Sequence, residues 1–291
     1  MSAQIALDVM IGGVITGGLY ALIALGLNLQ YGLMRILNVA HGEFLMLGAY
    51  LTYALHVSLG VNPLLTIVAT GPAALGVGLL LHRTLYAPVL GERDTPQAVE
   101  SRSLLLSFGI LFVAQNAALL VWSADLRGYS YLSTPLRLLG APFGANRVVA
   151  AVVALAVGVS FYAFLRRSLV GKAVRALMQD PDGARLVGVD VRRVHAFCFG
   201  VGVAMSAVAG SLISMAFELT PFIGLGYTVT ALVVIILGGL GNVLGSLVGG
   251  ILLGVVETAA VYLVEYDIRP IVSYGVLSLI LLLKPSGLLG R

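Results

Sequence analysis

Residues 148–165 read VVAAVVALAVGVSFYAFL, a run of eighteen positions without a charged side chain. The run is bounded by Arg147 on one side and by Arg166 and Arg167 on the other. An α-helix rises about 1.5 Å per residue, so about 20 apolar residues cross the hydrocarbon core of a bilayer. The stretch therefore indicates a transmembrane helix with positively charged ends.

The apolar composition extends over the whole chain. Hydrophobic residues make up 59% of the 291 residues and charged residues 10%, and the mean hydropathy is +1.02. A soluble domain carries about 25% charged residues, so this chain could not cover a globule with polar surface. No long polar stretch divides the sequence, which predicts a single integral membrane domain over residues 1–291. The one cysteine, Cys198, excludes an intramolecular disulfide.

Eight apolar runs are candidates for transmembrane helices. They are residues 9–32, 36–59, 63–81, 104–122, 148–165, 194–216, 245–263 and 271–283. Another run, Tyr227–Leu237, is too short to cross alone and is followed by three glycines in residues 238–241. Non-helical backbone survives at membrane depth only where protein or water covers it, so residues 227–240 are expected to form either a half-helix or a helix that crosses while broken at its glycines. The crossing broken helix is favoured, because it brings Lys284 to the cytoplasmic side. The fold prediction is an all-α polytopic membrane protein with about eight or nine transmembrane segments, including this Gly-broken helix.

The basic residues predict the orientation of the chain. Cytoplasmic loops carry an excess of Lys and Arg. We place Arg35, the loops 83–102 and 166–193, and the tail after Leu283 on the same side of the membrane. That side then carries 13 of the 17 basic residues. The N-terminus is then outside the cell and the C-terminus is cytoplasmic. The sequence thus predicts a multi-pass protein of the bacterial inner membrane, with the lipid bilayer as its solvent and no role for nucleic acid.

The cytoplasmic loop 166–193 contains the signals of a short helix. Asp180 is a good N-cap, Pro181 suits the first helical position, and Asp182 places a negative charge in the first turn. Gly188 can supply the left-handed turn that ends the helix. These residues predict a helix of about two turns, which a membrane domain could use to receive force from a soluble motor.

Three motifs resemble one transporter family. Residues 38–50 (NVAHGEFLMLGAY), residues 171–189 and the glycine-rich residues 238–250 are similar to stretches of the H-type permease subunit of branched-chain amino acid ABC importers. The resemblance covers essentially the whole chain. It departs at Pro181-Asp182-Gly183, where better helix formers are expected, and this puts the start of the coupling helix in doubt.

The resemblance implies a five-part import system. Its parts are this subunit with a second homologous permease subunit, two cytoplasmic ATPase subunits and an extracytoplasmic substrate-binding protein. The chain itself has no GxxxxGK[ST] phosphate loop, so ATP and Mg are expected on the ATPases and no cofactor on this chain. The residues expected to contact the ATPases are Asp180, Pro181, Asp182, Ala184, Arg185 and Gly188, with Ala184 small enough to let a partner approach closely.

Polar residues within the spans are candidates for the substrate pathway. Ionisable groups inside a membrane usually face protein or water; the alternatives for His41 and Glu43 are a pathway role or hydrogen bonding of buried backbone. The pair lies two positions apart, which diverges by about 200° on a helix and argues against a metal site. For Gln115 and Asn116 the alternative to a pathway role is hydrogen bonding between helices. The pathway candidates are Asn38, His41, Glu43, Gln115, Asn116, Gly239, Gly241 and Asn242.

No catalytic constellation is present in the sequence, which argues against an enzyme. The main alternative function is a secondary carrier of small solutes driven by protons or ions, with His41, Glu43 and Glu257 as a proton relay. The substrate stays open between branched-chain amino acids and other amino acids, amides or urea.

Overall fold

A computed structural model describes residues 3–89, 95–264 and 268–290. The chain forms a bundle of helices and one short β-hairpin. The bounds are α1 Ala3–Met34, α2 His41–Leu59, α3 Pro63–Leu81 with a π-helical turn His82–Tyr86, α4 Ala87–Val89, α5 Pro96–Trp122, β1 Pro135–Leu138, β2 Ala141–Gly144, α6 Ala145–Arg167, α7 Leu169–Gln179, α8 Pro181–Leu186, α9 Val191–Ser214, α10 Ile223–Gly238, α11 Val243–Leu263 and α12 Arg269–Leu283.

The polytopic all-α prediction is confirmed. Six helical stretches of the described residues are long and apolar enough to cross a membrane: 4–34, 63–89, 96–122, 145–167, 191–214 and 243–263. Helices α10 and α12 are apolar but shorter. Each of the six contains or overlaps a run identified from the sequence, because an uninterrupted apolar stretch of this length has no other way to satisfy its backbone in lipid.

Helices α1 and α9 occupy the centre of the bundle, where small residues let backbones approach closely. A Cβ built at Gly17 of α1 would lie 2.6 Å from the carbonyl oxygen of Gly250 in α11. Gly210 of α9 lies equally tightly against the backbone of Leu45 in α2. Lipid offers little hydrophobic driving force for helix association, so close van der Waals contact at small residues stabilises such bundles.

The two ends of the bundle differ. Strands β1 and β2 pair antiparallel at one end, where Phe143 of β2 lies near Gly12 of α1; we call this the hairpin end. At the opposite end, Met178 of α7 lies near Gly32 of α1 and Gly241, and α8 follows α7; we call this the α8 end. The hairpin was not predicted from the sequence.

Helix α2 begins inside the bundle and not at its end. The prediction of a span over residues 36–59 is wrong for its first part, since residues 35–40 are not helical and α2 starts at His41. The ring Nε2 of His41 lies 3.0 Å from the carbonyl oxygen of Ile23, well within α1. The chain therefore turns back from the α8 end, starting at Arg35 with φ 56°, and enters the bundle as a non-helical segment.

Residues 215–222 enter the bundle from the opposite end. They begin at the hairpin end, where Asn146 donates to the carbonyl of Met215 at 2.8 Å and Leu219 pairs with Arg127. Helix α10 then starts at Ile223, with Gly224 directly against Gly42 of α2. Two helix N-termini thus meet in the interior, each reached by a non-helical segment from a different end.

The glycine cluster is a turn and not a break within a spanning helix. Helix α10 ends at Gly238, Gly239 and Gly241 have φ of 105° and 79°, and α11 begins at Val243. Gly238 then lies against Gly245, as in an antiparallel helix hairpin. The favoured expectation, a helix unwound at its glycines, is therefore wrong. The observed α10 matches the half-helix alternative, with a non-helical part upstream in residues 215–222.

Candidate functional site

The non-helical residues 35–40 are held by two serines of α5. The backbone N–H of Leu37 donates to Ser103 Oγ at 3.1 Å, and that of Val39 donates to Ser107 Oγ at 3.2 Å. Both serines are fully buried. Irregular backbone at membrane depth requires partners within the protein, and these side chains supply them.

Asn38 and His41 fasten the start of α2 to its neighbours. Asn38 donates to Gln30 Oε1 at 3.0 Å, and Gln30 donates to the carbonyl of Phe199 at 3.1 Å. The carbonyl of His41 accepts from Ser206 Oγ at 2.7 Å. Of the two alternatives left open for His41, the observed contacts match hydrogen bonding of buried backbone.

Thr228 of α10 joins the two helix starts. Its hydroxyl donates to the carbonyl of Val39 at 3.0 Å and accepts from the backbone N–H of Gly42 at 2.8 Å. The backbones approach so closely here that a Cβ at Gly42 would fall on the carbonyl oxygen of Gly224. Sequence reasoning missed Thr228, because one threonine in an apolar helix carries no signal of its partner 186 positions away.

Glu43 lies at the meeting point of the two N-termini. Its side chain is fully buried in the first turn of α2, and Oε1 accepts from Gln115 Nε2 of α5 at 3.1 Å. Oε2 has no hydrogen-bond partner among the described residues. A Cβ at Gly224 would lie 2.5 Å from Oε1 and 2.7 Å from Oε2, so the glycine leaves room for the carboxylate. The positive ends of two helix dipoles favour negative charge at this place.

The predicted pathway residues fall into three groups. Asn38, His41, Glu43 and Gln115 come together around the start of α2. Asn116 is exposed on α5 and donates to the carbonyl of Phe112 in its own helix at 2.8 Å. The remaining three, Gly239, Gly241 and Asn242, form the α10–α11 turn at the α8 end.

The α10–α11 turn is held by side chains and by the C-terminal segment. Gly241 N–H donates to Asn28 Oδ1 at 2.7 Å, and Asn242 caps α11 by accepting from Gly245 N–H at 3.0 Å. Asn242 also donates to the carbonyl of Leu289 at 2.8 Å. These contacts stabilise the turn and lie at the opposite end of α10 from Glu43.

The short helix predicted in the loop 166–193 is confirmed as α8. Asp180 Oδ1 accepts from the backbone N–H of Asp182 and Gly183 at 3.1 and 3.0 Å, Pro181 occupies the first position, and Gly188 has φ 87°. The doubt about its start is resolved by this capping. Helix α7, which precedes it, was not predicted.

The exposed face of α8 differs from the one expected. Ala184 is 3% exposed, so the chain itself covers it and it cannot be the open contact for a partner. Leu186 and Val187 are instead 89% and 79% exposed. Arg185 and Asp182 lie beside them, 3.5 Å apart. Two large apolar side chains thus project from the α8 end outside the spans, as at protein–protein contacts.

Glu257 is held by hydrogen bonds within the bundle. Tyr20 donates to its Oε2 at 2.9 Å, and Ser273 donates to Oε1. A cavity of about 150 Å³ lies nearby, lined in part by Tyr20, Arg147 and Arg269. Among the described residues, no group of three or more His, Cys, Asp or Glu side chains could hold a metal ion.

A polar centre reached by two interrupted segments, with helix N-termini pointing into it, is typical of multi-pass membrane transport proteins. The chain belongs to the family described as branched-chain amino acid transport system, permease component, which matches residues 9–283. The resemblance to branched-chain amino acid permeases drawn from the three motifs is therefore confirmed, and the relative LivH, reported next, extends it to the H-type subunit.

Individual relatives agree over nearly the full length. The chain is 31% identical to the high-affinity branched-chain amino acid transport system permease protein LivH of Salmonella typhimurium, covering 98% of this chain and 96% of that protein. It is 25% identical to the probable branched-chain amino acid transport permease protein LivM of Methanocaldococcus jannaschii, covering 94% and 90%. The solved PsaBC from Streptococcus pneumoniae, in complex with Fab, has a chain of similar fold, with a TM-score of 0.53, 11% identity and coverage of 98% and 97%.

Proposed function

We propose that this chain is the permease subunit of an ATP-driven importer for branched-chain or related amino acids, and that it forms part of the translocation path. The observation that carries the proposal is α8: a short, capped helix outside the spans, with its last residue Leu186 and the C-cap residue Val187 exposed. Such a surface suits docking of a soluble subunit. In this family of transport permeases, the fitting partner is an ATPase, and nucleotide hydrolysis belongs to that chain.

Contacts connect α8 to the polar centre. Helix α8 packs on α7. The terminal methyl of Met178 in α7 lies near Gly32 and Gly241: a Cβ built at either glycine would come within 3.2 Å of this methyl. The α10–α11 turn that contains Gly241 leads through α10 to Gly224, which lies against Glu43. A displacement of α8 by an ATPase can reach the carboxylate through this rigid path.

The remaining partners follow from the relatives. Similarity to both LivH and LivM supports pairing with a second, homologous permease subunit, and an extracytoplasmic binding protein would deliver the substrate at the hairpin end. LivH is described as a permease of a branched-chain amino acid transport system, and the similarity to it supports a branched-chain amino acid as the substrate of this chain. The carrier alternative is less well supported, because among the described residues the two carboxylates share no hydrogen-bond partner: Glu257 accepts from Tyr20 and Ser273, and Glu43 accepts from Gln115.

Affinity purification tests the proposal. The tagged chain, expressed with its neighbouring genes and extracted in mild detergent, should carry with it a second permease subunit and ATPase subunits, and the eluate should hydrolyse ATP. Recovery of the chain alone, with full uptake activity in liposomes, would contradict the proposal.

The orientation makes a separate prediction. Cysteines at Arg102 and Arg185, in a Cys198→Ser background, should react with a membrane-impermeant maleimide only after the cytoplasmic side is opened, because basic residues cluster there. A cysteine at Leu126, which is 65% exposed in the loop before β1, is the control and should react in intact cells. Labelling of residue 102 or 185 in intact cells would contradict the predicted orientation.

A further inference from the structure

We infer that the Glu43 carboxylate binds the α-ammonium group of the amino acid as it passes the centre of the bundle. The inference rests on the proposed function and names the chemistry of its path. It concerns Glu43 as a binding group, with Gln115 as the residue that positions it.

The first argument is the incomplete bonding of Glu43. The side chain is fully buried, yet within the part of the chain that the structure describes only Oε1 has a partner, the neutral amide of Gln115 at 3.1 Å. A buried carboxylate is costly unless it is paired and hydrogen-bonded. An ammonium group has three N–H donors and one positive charge. At Oε2 it would supply both the opposite charge and the hydrogen bond that the carboxylate needs.

The second argument is the electrostatics of the place. Glu43 lies in the first turn of α2, and its carboxylate touches Gly224, the second residue of α10. The positive ends of both helix dipoles therefore favour the ionised carboxylate. Gly224 is the residue that permits this contact, since a side chain there would displace the carboxylate.

The third argument is the surroundings of Glu43. The non-helical residues 35–40 and 215–222 end at the two helix starts that meet beside it. Met46, Ala114 and Ile223 belong to one apolar cluster formed by α2, α5 and the start of α10. A branched aliphatic side chain fits such a surface while its ammonium group faces the carboxylate.

A charge relocation tests the role of Glu43. In the reconstituted complex, Glu43→Gln should lower ATP-driven leucine uptake about 10- to 100-fold, the loss expected for one charge-assisted hydrogen bond, with subunit composition unchanged. The double variant Glu43→Gln/Gln115→Glu exchanges the two side chains, so that the carboxylate lies at residue 115 and the amide at residue 43. This variant should recover at least part of the uptake that Glu43→Gln loses. Wild-type uptake by Glu43→Gln, or an assembled double variant no better than Glu43→Gln, would overturn the inference.

A glycine pair supplies a second test that leaves Glu43 in place. Gly224→Ala should push on the carboxylate and lower uptake, whereas Gly226→Ala, two residues further along α10 with open space around it, should not. Equal uptake by the two variants would overturn the inference even if Glu43→Gln fails to fold. If uptake by the wild-type complex needs no ATP, the proposed function is contradicted instead. The ratio of uptake between two variants tests the role of Glu43 and does not test the need for ATP.

Discussion

Gly42→Val is expected to abolish transport. A Cβ at residue 42 would fall on the carbonyl oxygen of Gly224 and lie 2.6 Å from Thr228 Oγ1. The first of these atoms is backbone and cannot rotate away, so α2 and α10 must separate. Overpacking costs about 1–3 kcal/mol, and the hydrogen bond from Gly42 N–H to Thr228, 2.8 Å long, would break. A buried donor left without a partner costs about 1–3 kcal/mol more.

The measurement is leucine uptake in cells together with the melting temperature of the purified complex. Both should fall for Gly42→Val: the melting temperature because α2 and α10 lose their contact, and uptake because the two helix starts beside Glu43 move apart. Gly226→Val is the matched control, because nothing lies within 4 Å of a Cβ at residue 226. Unchanged uptake and stability in Gly42→Val would show that the helix starts do not meet as described.

Replacing both Leu186 and Val187 by Asp should release the ATPases. The two side chains are 89% and 79% exposed, so the change leaves the packing of this chain intact. In a docked complex they would be desolvated, and burying an unpaired charge costs several kcal/mol. Co-purification of ATPase should fall about 100-fold or more, as a penalty of about 3 kcal/mol implies, while the yield of the permease stays near wild type.

Leu126→Asp is the control for this experiment. Leu126 is 65% exposed but lies before the hairpin, away from α8, so its replacement should leave ATPase retention unchanged. If the Leu186/Val187 double variant keeps its ATPases and full uptake, α8 is not the docking element.

Local chemistry made part of the fold predictable. The caps of α8 follow from Asp180, Pro181 and Gly188, because each acts on backbone within a few positions of itself. The long apolar spans are equally local, since length and composition alone decide them. These elements appear in the structure where the sequence placed them, although α1, α5 and the stretch 63–89 extend six to eight residues beyond the predicted runs.

The interrupted segments were beyond sequence reasoning because distant residues cause them. Residues 36–39 are apolar apart from Asn38 and read as helix, but Ser103 and Ser107 hold their backbone from α5, 66 and 68 positions away. The glycines at 238–241 correctly predicted a departure from helical structure. That this departure is a turn depends on the packing of Gly238 against Gly245, which the sequence does not show.

The candidate site was foreseen as single residues and not as an arrangement. Glu43 and Gln115 were each identifiable as polar groups within spans, but their contact joins positions 72 apart. Ala184 was identified as small, and its burial depends on how α8 rests on α7. Periodicity assigns residues to helix faces, whereas tertiary packing decides which face is open.

Reconstitution into liposomes tests the central claim most directly. The liposomes would contain this chain with its second permease subunit and ATPases, ATP on the ATPase side, and the binding protein with labelled leucine on the other. The account predicts leucine accumulation that requires hydrolysable ATP and persists when a protonophore collapses the proton gradient. Accumulation by liposomes containing this chain alone, driven by a proton gradient without ATP, would contradict it.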